Sequence, residues 1–209
     1  RCLQYSADNR LIASAGNDNT VRVWDVAHRK LLKTLRGHAG RVQACAFGPD
    51  PSSLLSAGHD HLAKLWNIAG YEESRVFQGL VLEGPRDAIL GADFSPDGRQ
   101  IVSASRDRSA KLWDAATGKE VRQFKEGHEF LATTAAFFPD GKRLLSAAVD
   151  NTTRIWDVAS GSQTLALEGT GAMAAVALSR DGRFLLTGSH DKSAKLWDVE
   201  SGKLLRRLE

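Results

Sequence analysis

The stretch SAGHDHLAKLWN, residues 56–67, contains a serine, two histidines and an aspartate, with a tryptophan near its end. A further histidine, His38, lies upstream in LRGHAGRV. These residue types are those of a Ser-His-Asp hydrolase, although geometry and not composition defines such a site. The alternative is that the same side chains hold a fold together. The rest of the chain decides between the two.

The same pattern occurs five times. Trp-Asp or Trp-Asn pairs begin at Trp24, Trp66, Trp113, Trp156 and Trp197, with spacings of 42, 47, 43 and 41 residues. An aspartate lies six residues before each tryptophan: Asp18, Asp60, Asp107, Asp150 and Asp191. Four residues before each aspartate is a hydroxyl residue: Ser14, Ser56, Ser103, Ser146 and Thr187. A catalytic serine is needed once, whereas a residue repeated in every unit has a structural role. With no G-x-S-x-G motif, the hydrolase hypothesis is disfavoured.

Each unit also contains turn signals and short apolar segments. The turns SADNR, GPDPS, SPDGR, FPDGK and SRDGR precede the hydroxyl residues, and Pro, Gly and Asp suit tight reversals. Segments such as TVRVWDV and RLLSAAV have the length and the β-branched, leucine and aromatic content of strands. The sequence therefore predicts an all-β fold with four short strands in each unit.

Glycine-histidine pairs, Gly37-His38 and Gly127-His128, complete the pattern. Together with the period, the hydroxyl residue, the aspartate and the Trp-Asp pair, they make essentially the whole chain resemble the WD-repeat (WD40) β-propeller family. The resemblance implies four-stranded antiparallel blades arranged around a channel. We expect five blades, at residues 1-36, 37-78, 79-126, 127-168 and 169-209. Since the family usually has seven blades and both ends fall inside a unit, we expect an excerpt of a larger, about seven-bladed propeller.

The resemblance implies two complete polar networks, one of His38, Ser56, Asp60 and Trp66 and one of His128, Ser146, Asp150 and Trp156. Imidazole can donate and accept at once, the carboxylate accepts and the indole donates, so every buried polar atom can be satisfied. The third unit has Gly79 and Leu80 in place of Gly-His, and the fifth has Thr170 in place of the histidine. We therefore expect units two and four to be the most rigid.

The resemblance also implies a binding face on the loops between the second and third strands. The residue before each repeated aspartate points there, namely Asn17, His59, Arg106, Val149 and His190, and Arg41 belongs to the same face. Arg86 is a further candidate. Several of these side chains are cationic or form hydrogen bonds, so the pattern favours an acidic or polar peptide. The alternative is that they are ordinary solvated turn residues.

Three other sequence features bear on possible binding sites. The inserted stretch GLVLEGP places Leu80, Val81 and Leu82 either in an exposed contact loop or in a longer strand of their own blade. His59 and His61 flank Asp60, but a third metal ligand is not evident, so we expect no metal. A base stands two residues before each tryptophan, and we expect its head in solvent near the acid that follows the tryptophan. These bases are Arg22, Lys64, Lys111, Arg154 and Lys195.

Composition narrows the function. The chain has 209 residues, 42% of them hydrophobic and 25% charged, and a net charge of +3, which does not indicate a nucleic-acid partner. No apolar run is long enough to span a membrane. The two cysteines, Cys2 and Cys45, are too few for a disulfide framework or a four-cysteine zinc site and favour a reducing compartment, although one bridge stays open. We expect a cytoplasmic location and, without a phosphate-binding loop, no cofactor.

By resemblance, the protein is a non-enzymatic interaction scaffold that presents a propeller face to peptides or protein domains. We expect protein partners, and exposed end blades give a route to self-association. A second hypothesis makes the chain a regulatory or sensor segment of a larger prokaryotic signalling protein, such as a Ser/Thr kinase or ATPase. Its basis is the similarity of the SPDGR and ATGKE repeats to those of large multidomain proteins, which is association alone.

Overall fold

The computed structural model describes residues 2–69, 81–82, 87–124, 128–169 and 173–209. Within these ranges every regular element is a β-strand, and no helix is present that could cross a membrane. The strands form five four-stranded antiparallel sheets, each built from four strands that follow one another in the chain. The predictions of an all-β fold and of four strands in each repeat are confirmed.

The sheets are numbered in chain order. The first contains β1 (Cys2–Tyr5), β2 (Leu11–Ala15), β3 (Thr20–Asp25) and β4 (Lys30–Arg36). The second contains β5 (Val42–Phe47), β6 (Ser53–Gly58), β7 (Ala63–Asn67) and β8 (Val81–Leu82). The third contains β9 (Ile89–Phe94), β10 (Gln100–Ser105), β11 (Ala110–Asp114) and β12 (Glu120–Phe124). The fourth contains β13 (Ala132–Phe137), β14 (Arg143–Ala148), β15 (Thr152–Asp157) and β16 (Gln163–Glu168). The fifth contains β17 (Met173–Leu178), β18 (Phe184–Ser189), β19 (Ala194–Asp198) and β20 (Lys203–Leu208).

The second sheet extends beyond the boundary predicted at residue 78. Its fourth strand is Val81–Leu82, which pairs with β7 through Ala63 and Lys64. Val81 and Leu82 are therefore strand residues and not part of a contact loop, and Leu80 lies outside the described residues.

Neighbouring sheets bury an apolar row between them. In the second sheet the register aligns Phe47, Leu54 and Trp66 across three strands, and this row packs on the first sheet through Ala13 and Val23. Equivalent clusters fill the other three junctions of consecutive sheets. The first strands of consecutive sheets also contact each other, which makes them the inner edge of the array.

The equivalent row of the first sheet is less covered. Tyr5, Ile12, Trp24 and Leu31 follow one another across its four strands. Tyr5 is 51% exposed and Leu31 is 40% exposed, whereas Phe47, at the position of Tyr5 in the second sheet, is 8% exposed. The difference arises because this face of the first sheet is the one that, in later repeats, packs on the preceding sheet.

Two side chains link inner strands of different sheets. Gln4 Oε1 in β1 accepts a hydrogen bond of 2.6 Å from the backbone N–H of Phe47 in β5. Asp93 in β9 occupies the register position of Gln4 and accepts a bond from the backbone N–H of Phe137 in β13. The other sheets have Ala46, Ala136 and Ala177 at this position. These links therefore join the first sheet to the second and the third to the fourth.

Candidate functional site

The turns between second and third strands lie together at one edge of the array, which we call the upper edge. They hold Asp18, Asp60, Asp107, Asp150 and Asp191. In each turn the aspartate Oδ1 accepts the backbone N–H of the residue two positions later. The residue between them has φ of 64° to 71°, in the left-handed region: Asn19, His61, Arg108, Asn151 and Lys192. The repeated aspartate thus fixes the turn and aims its two neighbours away from the sheet.

The residues of the opening stretch form a buried network below this edge. His38 Nε2 lies 2.7 Å from Ser56 Oγ, and His38 Nδ1 lies 2.8 Å from Asp60 Oδ2. This is the connectivity of a Ser-His-Asp triad. However, Ser56 has no exposed surface and its oxygen already accepts a 2.6 Å bond from Trp66 Nε1. A substrate has no path to this hydroxyl, and the arrangement satisfies buried polar atoms instead.

The fourth sheet repeats this arrangement. His128 Nε2 lies 2.8 Å from Ser146 Oγ, Nδ1 lies 2.9 Å from Asp150, and Trp156 Nε1 donates to Ser146 at 2.9 Å. Burial lowers the pKa of His128, and the adjacent Asp150 offsets part of that effect. Burial alone would raise the pKa of Asp150, but hydrogen bonds from Thr152 and His128 hold it below the ordinary value. The structure brings together both predicted sets of four residues.

Sheets without this histidine use other partners for the aspartate. Asp18 pairs with Arg22 at 2.6 Å, and Asp191 pairs with Lys195 at 3.0 Å. Asp107 accepts the Ser109 hydroxyl at 2.5 Å. The tryptophan-to-hydroxyl bond is present in all five sheets, at 2.6 to 3.0 Å. Gly79, Leu80 and Thr170, which marked the departures in the sequence, lie outside the described residues.

The predicted binding-face residues lie at the upper edge. Asn17, Arg41, Arg106 and His190 are exposed, and His59 and Val149 are half-buried. The backbone N–H of His59 donates to the carbonyl of Arg41 at 2.9 Å, so these two residues are adjacent. Corresponding bonds tie Arg106 to Ala88 and Val149 to Leu131. Arg86 lies outside the described residues.

The upper edge also holds side chains that the sequence analysis did not place there. His61, Arg108 and Lys192 follow the repeated aspartate and are exposed. Three turns therefore carry two basic or ionisable side chains each, on either side of an aspartate. These residues could have been predicted from the sequence, because each follows the repeated aspartate in the same turn. The family resemblance, however, points only to the residue before the aspartate.

Phe130 is a second residue that the sequence analysis missed. It lies just before β13, between His128 and the start of the inner strand, and is 56% exposed. This segment reaches the upper edge of the fourth sheet, where the carbonyl of Leu131 accepts the backbone N–H of Val149. Exposed aromatic side chains and arginines are both enriched at protein-binding hot spots.

The bases before the tryptophans are held inside their own sheets. Their hydrogen-bond partners are Asp18 for Arg22, the Gly37 carbonyl for Lys64, Glu120 for Lys111, Gln163 for Arg154, and Asp191 with the Gly169 carbonyl for Lys195. Arg22 and Lys195 pair with the aspartate of the turn that precedes their own strand, and Lys111 pairs with Glu120 on the next strand. Lys111 and Lys195 are also buried and not solvated. These five bases do not form a free basic ring for phosphates.

Two further features complete the surface. Among the residues that the structure describes, no cluster of three His, Cys, Asp or Glu side chains could hold a metal ion. An apolar groove of about 200 Å³ opens between the first and second sheets at the edge opposite the upper edge. Its lining residues are Leu11, Val23, Leu32, Lys33, Pro51, Ser52, Ile68 and Ala69.

Comparison with known proteins gives one family. The family model described as WD40, "WD domain, G-beta repeat", matches residues 1–25, 29–67, 78–114, 118–157 and 161–198. Among similar proteins is the anaphase-promoting complex subunit cdc20 of Dictyostelium discoideum, 49% identical over 45 residues, 22% of this chain and 9% of that protein. The WD repeat and SOCS box-containing protein 1 of Homo sapiens is 46% identical over 56 residues, 26% of this chain and 13% of that protein.

A third relative is the human U5 small nuclear ribonucleoprotein 40 kDa protein, 44% identical over 50 residues, 24% of this chain and 14% of that protein. Each similarity covers about one repeat and a small part of the relative. Names such as complex subunit and ribonucleoprotein protein describe members of assemblies. The similarities therefore concern the repeat and leave the partners of this chain open.

Proposed function

This chain belongs to the WD40 repeat family, and on that premise we propose that it is a non-enzymatic scaffold whose upper edge binds a protein partner. WD40 proteins generally act as scaffolds in protein complexes, and two of the relatives are named as a complex subunit and as a ribonucleoprotein protein. The observation that carries the proposal is that the aspartate and its sequence neighbours have different roles in each turn. The repeated aspartate fixes the turn, while the residues on either side of it include the exposed His61, Arg106, Arg108, His190 and Lys192.

The partner that fits this edge is a peptide segment with acidic residues beside an apolar one. Arg106 and Arg108 offer two guanidinium groups that can each bind a carboxylate in a fork geometry. Phe130, in the neighbouring sheet, offers an exposed ring for an apolar side chain. The side chains of Asp60 and Asp150 are only 5% and 6% exposed and are hydrogen-bonded to histidine, so a partner at this edge meets the exposed basic side chains and not these carboxylates.

A random peptide display library, selected on the full chain, tests the proposal. We expect the selected peptides to be rich in Asp and Glu beside an aromatic or aliphatic residue. Replacing His59, Arg106 and His190 together by serine should weaken their binding by about tenfold or more while thermal unfolding stays the same. A chain with Arg10→Ser is the matched control, because Arg10 is exposed in a turn at the opposite edge.

Two outcomes would overturn the proposal. Selected peptides that bind the triple variant as tightly as the original chain would remove the upper edge as the binding face. Peptides without acidic residues would remove the stated chemistry. Adding Phe130→Ser to the triple variant then separates the apolar contact from the electrostatic one, since that substitution leaves the dependence of the remaining affinity on salt unchanged.

The remaining expectations stay predictions. The relatives described above are proteins of Dictyostelium discoideum and Homo sapiens and give no support to a prokaryotic kinase or ATPase context. The cytoplasmic location likewise stays a prediction. Self-association is consistent with the exposure of Tyr5 and Leu31 on the first sheet and of Leu205 on the fifth. Light scattering over a range of concentrations checks it, and a constant monomer mass would contradict it.

A further inference from the structure

The two cysteines of the chain lie on neighbouring inner strands. Cys2 is in β1 of the first sheet and Cys45 is in β5 of the second. The Sγ of Cys2 lies 3.3 Å from the carbonyl oxygen of Cys45, 43 residues away in the sequence. Both are free thiols, with Cys2 half-buried and Cys45 buried. The fold therefore places two thiols that are far apart in the chain on adjacent inner strands, with the sulfur of Cys2 against the backbone of Cys45.

Sulfur is not required for packing at these positions. In the other sheets the register position of Cys2 holds Ala44, Gly91, Thr134 and Ala175. The position of Cys45 holds Leu3, Ala92, Ala135 and Val176. Small or aliphatic side chains thus fill the same places elsewhere. The repeats carry cysteine only at the two positions that face each other.

The pair is also chemically asymmetric. Cys2 Sγ donates to the Cys45 carbonyl and Cys45 Sγ to the Ala13 carbonyl at 3.8 Å. The proximity of the Cys45 side chain lowers the pKa of the Cys2 thiol below its ordinary value. The same contact, together with burial, raises the pKa of Cys45. Cys2, the more exposed of the two, therefore has the character of a nucleophilic thiolate, and Cys45 is held protonated beside it.

We propose that Cys2 and Cys45 form a redox site that a small peroxide converts reversibly into a disulfide between the first and second sheets. The Cys2 thiolate attacks one peroxide oxygen and breaks the O–O bond, which gives a sulfenic acid and, with one proton, releases water from hydrogen peroxide. The Cys45 sulfur then displaces the hydroxyl of the sulfenic acid, which leaves as a second water with the Cys45 proton. The two thiols lose two electrons and the peroxide gains them. A dithiol reductant reverses the change by exchange.

The experiment treats the full chain with hydrogen peroxide and follows free thiols and intact mass. We expect the chain to lose both thiols together, its mass to fall by two hydrogen atoms, and a dithiol to restore both. Cys45→Ala should stop at the sulfenic acid, which dimedone traps on Cys2. In Cys2→Ala the remaining thiol, Cys45, should be oxidised at about one tenth of the rate at which the native chain loses its thiols, or more slowly still. Alanine already occupies both register positions in other sheets, so both variants are expected to fold, and circular dichroism checks this.

Three results would overturn the proposal. A native chain that keeps two free thiols under peroxide, while a small-molecule thiol is oxidised, would show that Cys2 is not reactive. Oxidation of Cys2 to the sulfinic acid without loss of the Cys45 thiol would show that the second sulfur does not resolve it. Disulfide-linked dimers without the internal bridge would show that the sulfur atoms do not meet within one chain.

Discussion

Asp93 Oδ2 lies 3.0 Å from the backbone nitrogen of Phe137 and accepts its hydrogen, joining the third sheet to the fourth. The other oxygen, Oδ1, accepts the backbone N–H of Phe94 at 2.9 Å. Burial raises the pKa of Asp93 to about 6, against the opposing effect of these two bonds. A link of the same geometry in the first sheet uses the neutral amide of Gln4. Asp93 is therefore ionised at neutral pH, although the neutral amide of Gln4 shows that this hydrogen bond can form without a charge.

Asp93→Asn should flatten the pH dependence of stability in mildly acidic solution. The folded pKa of about 6 exceeds the ordinary 3.8, so the folded chain holds the proton more tightly. Protonation of Asp93 stabilises the folded chain fully below pH 3.8. This stabilisation is lost as the pH rises through about 6, which lowers the free energy of unfolding by at most about 3 kcal/mol. Asparagine keeps the acceptor for Phe137 and does not titrate. Urea unfolding across this pH range measures both chains, and equal slopes would contradict the prediction.

Asp60→Ala should destabilise the chain more than Asp18→Ala. The first change leaves the buried Nδ1 of His38 without its acceptor, and the loss of a buried hydrogen-bond partner costs roughly 1 to 3 kcal/mol. Asp18 has the same place in its turn but is partly exposed and pairs with the solvated Arg22, so water can replace it. Chemical unfolding of both variants gives the comparison. Equal losses would mean that the turn, and not the histidine network, accounts for the role of the aspartate.

Arg29→Gly should stabilise the chain by roughly 1 kcal/mol. Arg29 has φ of 52°, and the corresponding turns of the third, fourth and fifth sheets place Gly118, Gly161 and Gly202 in the same left-handed region. Glycine adopts this conformation without the steric cost of a Cβ atom. The reverse change, Gly118→Ala, should destabilise by a similar amount. Thermal unfolding of the two variants checks the pair, and a shift of the same sign in both would refute the argument.

Gly91→Ala should weaken the contact between the third and fourth sheets. A Cβ atom on Gly91 would lie 2.9 Å from Thr134 Cα and 3.0 Å from the Thr133 carbonyl, both backbone atoms. Overpacking of this kind costs about 1 to 3 kcal/mol. Gly188→Ala is the control, because its nearest neighbours, atoms of Ala175, are 3.9 Å away. If both variants unfold at the same urea concentration, the close approach at Gly91 has no energetic weight.

The repeated features of this fold were predictable because each position is seen five times in one chain. The bond between Trp66 and Ser56 follows from an offset that recurs in every unit, and its equivalents are present in all five sheets. The His38 network needed the family resemblance in addition. The repetition of the hydroxyl residue indicated a structural role. A single serine near a histidine would instead have favoured a catalytic interpretation.

The features that escaped prediction occur once and act between repeats. Gln4 and Asp93 share a register position, but their amide and carboxyl groups act on the next sheet, so their role depends on how sheets pack. Phe130 follows a motif residue without belonging to the motif. The pairing of Val81–Leu82 with the second sheet was not predicted, because spacing alone did not decide between a contact loop and a strand for these residues.

The junctions between consecutive sheets are not equivalent. Gln4 and Asp93 each provide an acceptor to the next sheet, whereas the same register position holds alanine in the other three sheets. The third and fourth sheets are further joined by Arg122, whose guanidinium donates to the carbonyls of Ala159 and Ser160, whereas Ala46 offers no such bond from the second sheet to the third. A pulling force across the junction of the first and second sheets, or of the third and fourth, therefore has to break side-chain-to-backbone hydrogen bonds in addition to the apolar packing.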